Sequence, residues 1–330
     1  MPRTNQHWDR RLLHGLLLAF LVLTLGAAIS GWKTIHRLPT SPEEQMSVRL
    51  YLSETNRLVT LPLEAYVRGV VAAEMPADFP PAALQAQAIA ARTYAIWRLQ
   101  HPSHPLPYGA QLTDRPEEGQ AYLTDEALRK HWGNSYDQWS SRIDQAVRAT
   151  QGQILVYEGA PAYALYFSNG GGQTEQSDIL FGKAYPYLRS VPSYDADQPG
   201  GHSTVDFTPQ QLRQRLEDPT LPDDVRGILA TSQVITRSPA GTVEQVRIGG
   251  RQYTGVQVRQ RLGLSSADFT FGQAGERLRF YVIGHGHRVG LSQWGAKVMA
   301  EKGASCREIL SHFYIGCTLA PLSSITFSKF

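Results

Sequence analysis

Two helical segments set end to end, each opened by proline, constrain this chain more than any other feature. The first reads LPLEAYVRGVVAAEMP and begins near Pro62, a residue suited to the first helical position. Its apolar stripe is Leu63, Val67, Val70 and Val71, spaced along one face of a helix. The second, PPAALQAQAIAARTYAIW, is rich enough in alanine to pack closely against other elements. Together they predict two consecutive helices within residues 62–99.

Glu74 lies about three turns beyond Leu63 and falls on the same apolar stripe. A carboxylate on an apolar face costs free energy unless it pairs or protonates. Pro76 ends the helix just beyond it, so Glu74 sits in the last turn, where the helix dipole disfavours ionisation. Both effects raise its pKa, the direction that a general acid at neutral pH requires. Periodicity alone leaves a second reading open, a buried glutamate paired with an arginine such as Arg92. Glu64 lies one position off the stripe at the start of the helix, where a negative charge suits the dipole, and reads as structural.

Around these helices the patterning is mixed. Strands are expected at 47–52, 58–61, 153–157, 162–168, 243–248 and 277–283, from alternation and β-branched content. Further helices are expected at 125–131, 140–150, 208–216, 256–262, 292–302 and 305–314. Without a steady βαβ alternation the fold class is α+β, one large mixed domain.

At the N-terminus Arg3, Arg10 and Arg11 precede an apolar run over 16–29, as in a secretion signal or signal anchor. The expected organisation is a cytoplasmic segment 1–11, an anchor or signal segment 12–32 and a linker 33–45. A catalytic domain 46–318 and a C-terminal tail 319–330 follow. The domain is thus expected outside the cytoplasm, held to the membrane through the N-terminal segment or secreted. The composition, 42% hydrophobic and 18% charged, is globular. A net charge of +3 without a basic, aromatic-interleaved cluster argues against nucleic acid as a partner. The two cysteines, Cys306 and Cys317, are compatible with a disulfide or with free thiols. Lacking a Cys-x-x-Cys, they do not suggest a structural zinc site.

Three more segments carry polar chemistry. Arg92, Thr93 and Tyr94 follow the small-residue face of the alanine-rich helix and are placed to project toward the end of the first helix. YFSNGGGQTEQS runs a strand into three glycines, which lets backbone approach a ligand closely at Gly171. Ser168, Asn169 and Thr174 there offer hydroxyls and an amide suited to sugar hydroxyls. In GHGHRVGLSQWGAKVMAEKG, His287 is a candidate to hydrogen-bond substrate or Glu74. Ser292, Gln293 and Trp294 open the next helix, where an indole face and an amide suit a carbohydrate cleft.

Read together, these segments resemble the stage II sporulation protein D family. The matching runs are LEAYVRGVVAAEMP, ALQAQAIAARTYA, the TD…GQAY stretch from Thr113 to Tyr122, AVRATQGQILVYEG, YFSNGGGQTE, PYLRSVPSYD, VGLSQWGAKVMAEKG and ILSHFYIG. They cover residues 46–318 in the family's order. The resemblance implies lytic cleavage of peptidoglycan glycan strands stripped of peptide stems, with the glutamate of the Glu-Met pair, here Glu74, as the catalytic residue. It adds Gln120 to the expected substrate contacts. In lytic cleavage the sugar's own 6-hydroxyl attacks the anomeric carbon, so one carboxylic acid suffices. A hydrolase needs a second carboxylate, for which Asp114 and Asp195 are the candidates. Some relatives bind zinc through a histidine–cysteine cluster that this chain lacks, so no metal and no cofactor are expected. Other members are enhancers of a separate cell-wall amidase, which gives the alternative, non-catalytic reading. One departure stands out: Gly286-His287-Arg288-Val289-Gly290 carries an arginine where the family has glycine, at a position expected to need a positive φ. Arg288 is therefore expected either to reshape the loop or to meet an acidic muramyl carboxyl group.

Overall fold

A computed structural model describes residues 46–325. The segments 1–11, 12–32 and 33–45, with the expected anchor, lie outside the described residues. Among those described, no helix is long and apolar enough to cross a membrane.

The described chain is a mixed α+β body with two hydrophobic cores. The helix Pro81–Gln100 runs through the middle of the larger core and packs on the helices Leu63–Glu74, Tyr136–Ala149, Gln293–Glu301 and Cys306–Phe313. Its alanines explain this central place. Ala83, Ala86, Ala88, Ala90, Ala91 and Ala95 are all buried, and only small side chains let elements approach from several sides. The strand Gln153–Tyr157 lies against it, flanked by Ala160–Pro161 and by Thr318–Pro321. Residues 319–321, expected to begin a tail, therefore complete a sheet, and Leu322 behind them is buried.

The smaller core is built wholly from residues 207–282. Two three-stranded antiparallel sheets enclose it. One orders Asp268–Ala274, Arg277–Ile283 and His202–Phe207; the other orders Arg251–Thr254, Val243–Ile248 and Gln233–Arg237. The helices Pro209–Leu216 and Gly255–Leu262 cover them, each opened by a capping box, from Thr208 and Thr254. The chain leaves the larger core after Val191 and returns at Val289, just before Leu291. There Leu291 and Ser292 pair in parallel with Tyr166 and Phe167. This short pairing brings YFSNGGG and GHGHRVGLSQW side by side.

Arg288 resolves the expectation about its loop. It adopts the positive φ, at 64°. Its buried guanidinium binds Asp268 at 2.7 Å and the carbonyls of Gly170, Gln173 and Ala240 at 3.0, 3.1 and 2.9 Å. The strain of a left-handed arginine, about 1–3 kcal/mol, is offset by these contacts. The side chain is thus committed inside the protein, so the expected contact with a muramyl carboxyl group is not available to it.

Candidate active site

The glutamate helix ends at Glu74 for a local reason. Pro76 disfavours helical geometry at the residue before it, and Met75 is extended, at φ −130° and ψ 134°. Glu74 is left as the final helical residue, half-buried, with its carboxyl at a groove. Two hollows of about 510 and 520 Å³ adjoin there, and both are lined by Glu74, Ser168 and Gln293.

Glycine at position 69 makes the contact that orients Glu74. A Cβ at Gly69 would lie 2.2 Å from the Tyr122 ring and 2.9 Å from the Leu123 carbonyl oxygen. Without one, residues 120–123 lie directly on the helix, and the Tyr122 ring stacks on Tyr66 at 5.7 Å. The Ala121 N–H then donates to Glu74 Oε1 at 2.8 Å. From the opposite wall Gln293 Nε2 reaches Glu74 Oε2 at 3.4 Å. Burial raises the Glu74 pKa; the Ala121 N–H, Gln293 and the Tyr166 hydroxyl pull it back, and the net direction is upward. Among the described residues no basic side chain pairs with it. Gln120 is locked beside it, donating to the Tyr66 hydroxyl at 3.1 Å and accepting from the Tyr166 hydroxyl at 2.7 Å.

The two arms of the groove differ. One carries Phe79, Trp132, Trp139 and Trp294. Its Ala77–Phe79 wall is held by Arg142, which donates to the Ala77 and Phe79 carbonyls at 2.7 and 2.8 Å. The other carries Tyr94, Arg98, Tyr163, Arg259, His285 and His287.

Seven of the expected site residues meet in this groove: Glu74, Tyr94, Gln120, Ser168, His287, Gln293 and Trp294. The others lie outside its walls. Arg92, fully buried, makes two hydrogen bonds to Glu64, at 2.8 and 2.6 Å, and one to the Gln153 carbonyl at 3.1 Å. It therefore does not partner Glu74, and Glu64 is the structural glutamate. Thr93 Oγ1 donates to the Ile89 carbonyl and accepts from the Leu155 N–H. Asn169 Nδ2 holds the carbonyls of Asp195, Gln198 and Pro199, and its Oδ1 accepts from Gly171 N–H. Gly171, at φ 66°, is pressed against Ile283, where a Cβ would lie 2.3 Å from a methyl carbon. Thr174 Oγ1 bonds backbone of Arg189 and Val191, and Ser292 Oγ bonds Asp195 and caps its helix through Gly295. The physical reason is common to these residues: buried irregular backbone needs partners, and nearby polar side chains supply them.

The two carboxylates considered for hydrolysis are committed in the same way. Asp114 accepts the Ser53 N–H at 3.0 Å. Asp195, fully buried, accepts from the Gly170 and Gly172 N–H groups at 2.6 and 2.9 Å and from Ser193 and Ser292. The carboxylates other than Glu74 that line the groove are Asp78, Glu117 and Glu118.

His287 lines the groove but makes no bond to Glu74. Its Nδ1 accepts the Val289 N–H at 3.1 Å, and its ring lies between Phe167 and Phe181. Burial, and then the charge of Arg259, lower its pKa to about 4, so it is neutral at neutral pH. Cys306 and Cys317 are free thiols. Among the described residues no His, Cys, Asp or Glu side chains gather as a metal site would require. Phe79, Trp132, Trp139, Tyr163 and Arg259 escaped the sequence reading. Trp132 and Trp139 stand at core spacing from Leu128 and Ile143 on their helices, where an indole reads as packing, and Arg259 comes from the other core.

The family model SpoIID, stage II sporulation protein, matches residues 51–157, which include Glu74 and Gln120. Stage II sporulation protein D of Bacillus amyloliquefaciens is 37% identical over 91% of this chain and 89% of its own length. The protein of the same name from Bacillus subtilis is 35% identical over 87% of this chain and 82% of its own. A more distant relative, the amidase enhancer of Bacillus subtilis, is 27% identical over 77% of this chain and 40% of its own length. By its identity to two such relatives over most of both chains, this protein belongs to the stage II sporulation protein D family.

Proposed function

We propose that this chain acts on the cell wall outside the cytoplasm, held there by residues 12–32, as a lytic transglycosylase of peptidoglycan glycan strands. The observation that carries this reading is the place of Glu74. Its carboxyl has a raised pKa, only neutral donors around it, and a groove opening on both sides. A glycan strand lies along the groove with the scissile bond at Glu74. Protonated Glu74 gives its proton to the leaving glycosidic oxygen as the bond from the anomeric carbon breaks. The muramyl 6-hydroxyl attacks that carbon and closes a 1,6-anhydro ring, and its proton passes to the Glu74 carboxylate. The acid is restored, no water is consumed, and no second carboxylate is needed. The half-buried indoles of Trp132, Trp139 and Trp294 give sugar rings apolar faces to stack on.

The test is to digest stem-free and intact peptidoglycan with the full-length protein and with Glu74→Gln, and to identify the new ends by mass spectrometry. Anhydromuramyl ends that vanish in the variant are expected. Reducing ends would replace the lyase by a hydrolase and direct attention to Asp78 and Glu117 in the groove. The relationship to the amidase enhancer supports a second reading, in which the chain accelerates a cell-wall amidase. Under that reading no new glycan ends form, and adding the protein raises the amidase rate.

A further inference from the structure

The arginines around the groove are almost all committed. Arg92 holds Glu64, Arg288 holds Asp268, and Arg142 holds the Ala77 and Phe79 carbonyls. On and beside the helix Gly255–Leu262, Arg261 binds Glu217 and the Leu216 carbonyl, while Arg215 binds the Leu262 carbonyl. Arg259 is the exception. It is half-buried on the same helix, lines the groove arm that holds Glu74, and has no ion-pair or hydrogen-bond partner for its guanidinium among the described residues.

An unpaired, partly desolvated guanidinium is costly to hold and strongly attracts a planar anion. The carboxylates of its own groove leave it unmatched. Glu118 is taken by Arg115 and His104, Glu117 is exposed, and no basic side chain pairs with Glu74. The nearby histidines add no competing charge. Burial and the charge of Arg259 both depress His285 and His287, so at neutral pH the cationic character of this arm comes from Arg259 and Arg98. Arg98 is partly occupied, donating to Ser103 at 2.9 Å.

We infer that Arg259 is a specificity residue that binds a carboxylate of the substrate, the free lactyl carboxylate of a muramyl sugar without its peptide stem. This rests on the reading of the groove as a glycan site. A stem attached to that sugar converts the carboxylate into a neutral amide, which removes the charge and adds bulk beside Arg259. Arg259 thus selects for stem-free strands from the second core, while Glu74 acts from the first.

The test measures binding apart from cleavage. Full-length Glu74→Gln is titrated calorimetrically with a stem-free GlcNAc–MurNAc oligomer, and with the same oligomer after its lactyl carboxylates are converted to methylamides. The acid form is expected to bind about tenfold tighter or more, the scale of one charge-assisted hydrogen bond. Adding Arg259→Gln brings the ratio close to one and leaves the affinity for the amide form unchanged. Arg259→Lys keeps part of the preference, and raised salt shrinks it in the parent, so the idea stays testable if Arg259→Gln fails to fold. A preference that survives Arg259→Gln, or no preference in the parent, overturns the inference even where wild-type protein still cuts stem-free strands. A preference that depends on Arg259, with no cleavage by the wild type, keeps the carboxylate site and removes the lytic reading. No binding of either oligomer removes both.

Discussion

The helix Leu63–Glu74 carries a glutamate near each end, and the two ends are built in opposite ways. At the first, Glu64 meets the Arg92 guanidinium through two hydrogen bonds and accepts the Gly152 N–H at 3.2 Å. The helix dipole favours its charge. At the last, Glu74 meets an N–H and an amide, both neutral, and the dipole opposes its charge. One carboxylate is a strut that ties three segments together; the other faces an opening among neutral donors, where the proposed function makes it the acid. The same residue type on the same helix is assigned its role by its partners, and that is where the comparison is open to attack.

Glu74→Gln breaks it most severely. Removing a general acid lowers the cleavage rate by about 10²–10⁴-fold, measured by release of new glycan ends. The fold does not suffer. Because the folded state raises the Glu74 pKa, it binds the proton more tightly than the unfolded chain does. That contribution to stability is present in acid and is lost as pH rises from the ordinary glutamate range through the raised value. Glu74→Gln is therefore expected to melt no lower than wild type at neutral pH. A clear fall in Tm would make Glu74 a strut as well.

Arg92→Ala attacks the other end. It leaves Glu64 without its cation and Gln153 without a donor, at a cost of about 3–5 kcal/mol, read by denaturant unfolding. The molecules that remain folded keep their activity, because Arg92 does not reach the groove. Gly69→Ala falls between the two ends. Its methyl group would collide with the Tyr122 ring, a cost of about 1–3 kcal/mol. It also moves the Ala121 N–H away from Glu74, so activity per folded molecule falls too, unlike in Arg92→Ala.

Much of this was legible in the residues. The apolar spacing from Leu63 to Val71 and the stop at Pro76 place Glu74 without a structure, and the strands Gln153–Tyr157, Val243–Ile248 and Arg277–Ile283 follow from alternation. The strands His202–Phe207 and Gln233–Arg237 did not announce themselves. Their sequences, HSTVDF and QVITR, are largely polar and part-exposed, so only pairing with a neighbour defines them. Expected strand 162–168 shrinks to Tyr166–Phe167 because residues 162–165 bond within their own tight turns, Ala164 N–H to the Ala162 carbonyl and Leu165 N–H to the Tyr163 carbonyl. Site residues divided on a similar principle. Polarity marks Asn169, Thr174 and Ser292 as candidates, but polarity does not say whether a side chain serves a ligand or its own buried backbone. Arg259 was invisible for the opposite reason, since it lies far along the chain from every motif and reaches the groove only through the fold of the second core.

The smallest expected effect sharpens the comparison most. Gln293 helps to hold the ionised form of Glu74, so Gln293→Leu removes a neutral donor and leaves the acid group in place. The direct rate loss is expected to stay below about tenfold, the scale of one neutral hydrogen bond. The informative readout is the pH profile. A general acid must be protonated to act, so activity falls as pH rises through the Glu74 pKa. With Gln293 gone the carboxylate is less well held, its pKa rises further, and the alkaline limb moves to higher pH. At the Glu64 end, where the partner is a cation rather than an amide, no substitution moves this limb. If Gln293→Leu leaves the limb in place while Glu74→Gln abolishes cleavage, the limb belongs to another group. The neutral donors around Glu74 would then position it without tuning it.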